Sequence, residues 1–123
     1  MIDHVKLRVA DLARSRAFFA AALAPLGYRQ LIARDEREAG FGRDFPHLWI
    51  AEAETATVAR VAQVALRAPD RAGVAAFHRA ALAAGGRDDG GPGRRSPCHP
   101  GSVSAGVLDP DGHTITAVWH GGR

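Results

Sequence analysis

The sequence predicts an α+β chain of two tandem βαβββ modules, residues 1–56 and 57–123, and three observations carry that expectation. The chain repeats itself at an offset of 59 positions, each copy passes from strand to helix periodicity, and short strand-like runs follow each helix. At 123 residues there is enough chain to bury one core and too little for two independently folding units, so a single domain over 1–123 is expected.

The repeat lays Ile2 to Gly27 over Val61 to Gly86. Val5 meets Val64, Leu7 meets Leu66, Arg8 meets Arg67, Asp11 meets Asp70, Phe18 meets Phe77, Leu23 meets Leu82 and Gly27 meets Gly86. Matches such as Ala21 with Ala80 add less, because alanine is common here.

Each copy opens with a strand. Val5, Leu7 and Val9 alternate with His4, Lys6 and Arg8, so one face is apolar and the other polar. Asp11 then stands where a helix N-cap belongs, able to accept a bond from a first-turn N–H, and Leu12, Phe19, Leu23 and Leu26 recur at helical intervals until Pro25 and Gly27 close the helix. The second copy repeats the scheme with Val64 and Leu66, the cap Asp70 after Pro69, and Val74, Phe77, Ala81 and Leu82 before the Gly85-Gly86 stop.

Tyr28 to Arg34 and Phe45 to Ala51 read as strands, with a weaker candidate near Ala39 to Arg43. Ser102 to Leu108 and Thr114 to Trp119 form the matching pair of the second copy, joined by Asp109-Pro110-Asp111-Gly112. That tetrad has turn chemistry, which explains both carboxylates without catalysis. The glycine- and proline-rich stretch from Gly85 to Gly101 reads as a loop with at most a short strand near its start. No helix follows it, so it lacks the context of a phosphate loop.

Composition bounds the function. Hydrophobic residues at 46% and charged residues at 24% are globular values. Lysine and arginine number 16 against 13 acidic residues, a weak pull on anions. Arg87, Arg94 and Arg95 share their loop with Asp88 and Asp89, and no nucleic-acid-binding motif accompanies them, so no nucleic-acid partner is expected. One cysteine, Cys98, excludes an internal disulfide, and neither a signal-peptide pattern nor a membrane-length apolar run is read. A cytoplasmic protein is expected.

Two βαβββ copies that open with Ile2-Asp3-His4-Val5 and close with Leu108-Asp109-Pro110-Asp111-Gly112-His113-Thr114-Ile115 resemble the vicinal oxygen chelate superfamily, which includes glyoxalases, bleomycin-resistance proteins and extradiol dioxygenases. The resemblance spans essentially the whole chain. It implies curved mixed sheets with helices packed outside, whose concave faces enclose a metal and a small ligand, and it implies a homodimer.

Strand parity independently places His47, Trp49 and Ala51, and Thr114, Thr116, Val118 and His120, on the faces the helices leave uncovered. Carried over by resemblance, the metal-ligand positions are His4, Trp49, Gln63 and Thr116. Only His4 is a strong donor, Gln63 is a weak one, and the usual carboxylate is missing. His47 and His120 lie two and four residues from those positions, roughly 7 and 13 Å along a strand. The cofactor expectation is therefore either none or a divalent metal held by His4 and Gln63.

The candidate ligand-binding residues are Lys6, Arg8, His47, Trp49, Gln63, Arg67, His99, Thr116 and His120, with His4 as the candidate catalytic base. Cys98 beside His99 has no third orienting group and is not read as a nucleophile. The leading expectation is a small-molecule-binding protein with a degenerate metal site, serving ligand sequestration or resistance, with an anionic or aromatic ligand. The alternative is a metal-dependent glyoxalase-like lyase or dioxygenase-like enzyme with a rearranged site.

Overall fold

The computed structural model describes residues 1–55, 58, 60–93 and 101–121. Strand β1 (Val5–Val9) leads into helix α1 (Leu12–Leu23), a single 3₁₀ turn (Ala24–Leu26), and strands β2 (Arg29–Arg34), β3 (Glu38–Gly42) and β4 (Pro46–Glu52). The second module runs β5 (Gln63–Arg67), α2 (Arg71–Ala83), β6 (Arg87–Asp88), β7 (Ser102–Leu108) and β8 (Thr114–His120). Each module forms a mixed four-stranded sheet, in the order β1-β4-β3-β2 and β5-β8-β7-β6. The first and last strands of each pair in parallel, and the other neighbours are antiparallel.

Local chemistry sets the boundaries. The Asp11 carboxylate accepts from the Arg14 N–H at 3.0 Å and Asp70 from the Gly73 N–H at 2.7 Å, so both helices start on the expected caps. Gly27 ends the first helical segment with φ of 87°, a left-handed conformation that costs glycine nothing. The weaker candidate near residue 39 is strand β3, and the short strand at the head of the glycine-rich loop is β6.

Leu7, Val9, Phe18, Phe19, Leu23 and Ile50 of the first module join Val74, Phe77, Ala81, Val107 and Ile115 of the second in one buried cluster. Leu82, expected in the core, is 37% exposed, because it lies about 100° around the helix from fully buried Ala81. Helices α1 and α2 pack on each other, and each also packs on its own sheet. The modules are joined through helices, and their uncovered sheet faces do not close over one another: Lys6, Arg8 and His47 on one, and Gln63, Ala65 and Arg67 on the other, are exposed. The cavity implied by the resemblance is thus not enclosed within one chain.

The closing turn holds the modules together. Asp109 is 1% exposed, and its Oδ1 accepts from the N–H groups of Asp111 and His113 at 2.9 and 2.8 Å, while its Oδ2 has no partner among the described residues. Burial raises this carboxyl above the ordinary aspartate range, and the bonds from the His113 and Asp111 amides pull the other way. Asp111 reaches across to the first module, where its Oδ1 accepts from the Ala10 N–H and the Arg14 guanidinium, both at 3.2 Å. Among the described residues no helix is long and apolar enough to cross a membrane.

Candidate functional site

On the open face of the first sheet, strand register fixes which side chains meet. Lys6 pairs with Trp49, Trp49 with Gly40, and Gly40 with Ile32. One row along, Arg8 pairs with Ala51, Ala51 with Glu38, and Glu38 with Arg34. Side chains cross between the rows. Lys6 Nζ reaches Glu38 at 3.1 Å, and the Arg34 guanidinium lies over the Trp49 ring at 4.8 Å, with Lys6 Nζ 5.9 Å from the same ring.

Gly40 makes this arrangement possible. A Cβ there would come within 3.0 Å of Trp49 Cε2 and 2.9 Å of both Ile32 Cγ2 and Pro46 Cβ. Trp49 donates its indole N–H to the Pro46 carbonyl at 3.0 Å, which anchors the ring edge, and the residue is only 7% exposed. The ring read from the sequence as a stacking surface therefore already carries Arg34. A ligand on this face meets the cations first and the indole behind them.

Arg8 borders a cavity of about 480 Å³ at the end of this face, together with Arg37, Glu38, Ala51 and Glu52. A larger recess of about 740 Å³, lined by Asp11, Arg16, Asp35 and Glu52 among others, contains none of the described site residues expected from the sequence. Volume alone therefore does not locate the chemistry.

His4 precedes β1 by one residue and His47 lies beside it in the register that pairs Val5 with Leu48. Both rings approach Asp3: His4 Nδ1 lies 2.8 Å from its Oδ1 and His47 Nδ1 lies 2.8 Å from its carbonyl oxygen. His47 also packs on Phe45, with ring centroids 4.9 Å apart.

On the second sheet Gln63 pairs with Thr114, Ala65 with Thr116, Arg67 with Val118, and Ser102 with His120. Gln63 and Thr116 consequently stand in neighbouring rows. Both Thr116 Oγ1 and the Asp89 carboxylate lie within 4 Å of where a Cβ on Gly106 would sit, so the fold brings a carboxylate to this face. Asp89, Arg34 and Glu38 were not among the candidates read from the sequence. His99 and Cys98 lie outside the described residues.

The donor set does not fit a divalent metal at the positions implied by the resemblance. His4 offers one imidazole, Gln63 one amide oxygen, Thr116 a neutral hydroxyl and Trp49 no donor, whereas an open metal site needs about three His or carboxylate donors. Among the described residues no group of three or more His, Cys, Asp or Glu side chains is placed to hold an ion.

Comparison with known proteins places this geometry in context. The sequence profile of the Glyoxalase/Bleomycin resistance protein/Dioxygenase superfamily matches residues 1–116. A glyoxalase/bleomycin resistance protein from Albidiferax ferrireducens T118 superposes with a TM-score of 0.82 at 25% identity, covering 97% of this chain and 98% of that one. A glyoxalase-related enzyme from Fulvimarina pelagi gives 0.74 at 20% identity, covering 97% and 87%. The fosfomycin resistance protein FosX from Mesorhizobium loti gives 0.69 at 19% identity, covering 97% and 91%. A search of curated proteins found no match.

Proposed function

Because the chain belongs to the Glyoxalase/Bleomycin resistance protein/Dioxygenase superfamily, we propose that it is a binding member of that family, which sequesters a small anionic molecule on its open sheet faces without a standard metal centre. The observation that carries this reading is the Lys6, Arg34, Trp49 and Glu38 cluster. Glu38 neutralises Lys6 at 3.1 Å, while the Arg34 guanidinium lies over the indole at 4.8 Å with no carboxylate partner among the described residues. A guanidinium held in place by stacking has lost much of its rotamer freedom already, so less entropy is lost when it grips an oxyanion with two parallel N–H donors. Arg8, one row along, adds a second cation, at the rim of a cavity whose wall also carries Asp35, Glu38, Glu52 and Glu54.

On this reading the working form is a cytoplasmic homodimer, in which the open face of one copy is covered by the other. Supporting it, Ile32 and Phe45 remain 40% and 46% exposed beside Trp49 and His47, an apolar margin around a polar centre. Gln63, Arg67, Thr116 and His120 would form the facing wall. The test is a fluorescence titration with small aromatic carboxylates: binding should quench tryptophan emission and weaken about tenfold in Arg34→Gln, the usual scale for one charge-assisted contact. Parent affinity retained in both Arg34→Gln and Lys6→Gln would overturn the assignment of the site.

A second reading, a metal-dependent lyase or dioxygenase with a rearranged site and His4 as a catalytic residue, is favoured by one observation. His4 and His47 are neighbours across β1 and β4 and share Asp3 as a contact. Retention of about one divalent ion per chain, abolished together with turnover in His4→Ala, would select it.

A further inference from the structure

We infer that the seam between the modules holds a separate binding cleft for a small organic anion with a flat apolar body. The cleft has a volume of about 350 Å³, at the lower end of the range for small-molecule sites. It is lined by Tyr28 and Arg43 of the first module and by Arg67, Pro69, Trp119 and His120 of the second, with Ala68 behind them and, among the described residues, no carboxylate in its wall.

Its construction is specific. The Tyr28 hydroxyl donates to the Arg67 carbonyl at 2.9 Å and ties the two modules together beside the cleft. The Arg43 guanidinium lies 5.5 Å over the Tyr28 ring and donates to the Leu26 carbonyl at 2.9 Å, which fixes its plane. On the other side Arg71 lies 5.3 Å over the ring of Trp119. Two arginines, Arg43 and Arg67, thus line one recess, and Arg71 adds a third positive charge against the Trp119 ring without lining it. Among the described residues none of them is paired with a carboxylate: Asp44 and Asp70 adjoin them in sequence, but Asp70 is spent on capping Gly73, and neither lines the cleft.

Like charges gathered without counter-charge repel one another, and an oxyanion relieves that repulsion while meeting the planar donor edges of Arg43 and Arg67. Pro69, Ala68 and the exposed part of Trp119 then offer apolar surface to whatever carries the anion. A monocarboxylate on an aromatic ring matches both halves. The cleft shares only Arg67 and His120 with the faces described above, and it exists in a single chain.

The chain contains two tryptophans, one in each candidate site, so their indole N–H signals in a ¹⁵N-resolved spectrum report the two separately. Titration of the full chain with benzoate should move the Trp119 signal saturably in the millimolar range, while neutral benzamide leaves it in place. Arg43→Gln and Arg67→Gln should each weaken the effect about five- to tenfold, with the ligand-free Trp49 signal of Arg43→Gln at its parent position as a check on folding. No movement of Trp119, an equal response to benzamide, or full binding in both variants would overturn the cleft. Inorganic phosphate binding as tightly as benzoate would overturn the role assigned to the apolar wall. A response confined to Trp49 would sink this proposal and leave the reading of the first sheet face standing.

Discussion

The imidazole of His113 donates from Nε2 to the carbonyl oxygen of Arg8 across 2.7 Å, so the closing turn of one module is bonded to the first strand of the other. The tautomer follows from the second nitrogen, because Nδ1 faces the Ala62 N–H at 2.9 Å and must accept. The ring is 2% exposed and both of its partners are backbone groups. The main chain of Arg8 is thereby fixed by His113, while its side chain projects from the open face.

Replacing His113 by alanine strands a backbone donor and a backbone acceptor at a module junction. Each unsatisfied group costs about 1–3 kcal/mol, so urea unfolding should show a loss of roughly 2–6 kcal/mol. Asparagine, which can reach one partner at most, should recover only part of it. A His113→Ala protein as stable as the parent would show that the bridge carries no weight.

Asp109 gives a pH signature. Its carboxyl is raised by burial, so the folded chain binds that proton more tightly than the unfolded chain does. The sign follows: the stability contributed by this group is fully present below the ordinary aspartate value of about 3.9 and is lost as pH rises through the raised folded value. Asp109→Asn keeps an acceptor for the Asp111 and His113 amides and removes the titration. Denaturation curves between acid and neutral pH should therefore lose this component of their slope in the variant; an unchanged slope would contradict the assignment.

Gly40 should tolerate no side chain. An added methyl group would meet Trp49, Ile32 and Pro46 at 3.0 Å or less, and Gly40→Ala should cost about 1–3 kcal/mol through overpacking, or else expel the indole. Trp49 is 7% exposed, so expulsion would red-shift its emission. Retained stability with unchanged emission would mean that the stack over Gly40 is not as tight as described.

Homodimerisation should appear in sedimentation as a species of twice the 13.0 kDa chain mass. Phe45→Asp, placed on the apolar margin, should weaken it by at least about tenfold, on the scale of one lost apolar anchor. A monomer at every concentration would remove the second copy from the proposed site.

Much of this was legible in the sequence because it is local or periodic. The caps Asp11 and Asp70, the offset repeat, the strand pairs and the polar parity of Lys6, Arg8, Gln63 and Arg67 follow from neighbours a few residues away. The site's finer arrangement was not, because it depends on register between distant strands. The irregular pairing between Gln30 and Ile32 resets the face on which Arg34 emerges, and Arg34 and Lys6 meet Trp49 and Glu38 diagonally, which alternation alone does not reveal. Asp89 sits in a stretch read only as loop, and the bridge from His113 to Arg8 requires knowing how the modules dock.

Metal content is the most direct test of a family member that binds without the standard centre. Protein purified without a histidine tag, incubated with nickel, zinc, iron(II) or manganese and then desalted, should retain well below one ion per chain by elemental analysis, with no difference between the parent and His4→Ala. Stoichiometric metal that is lost in His4→Ala would contradict the binding reading and establish the rearranged metal site in its place.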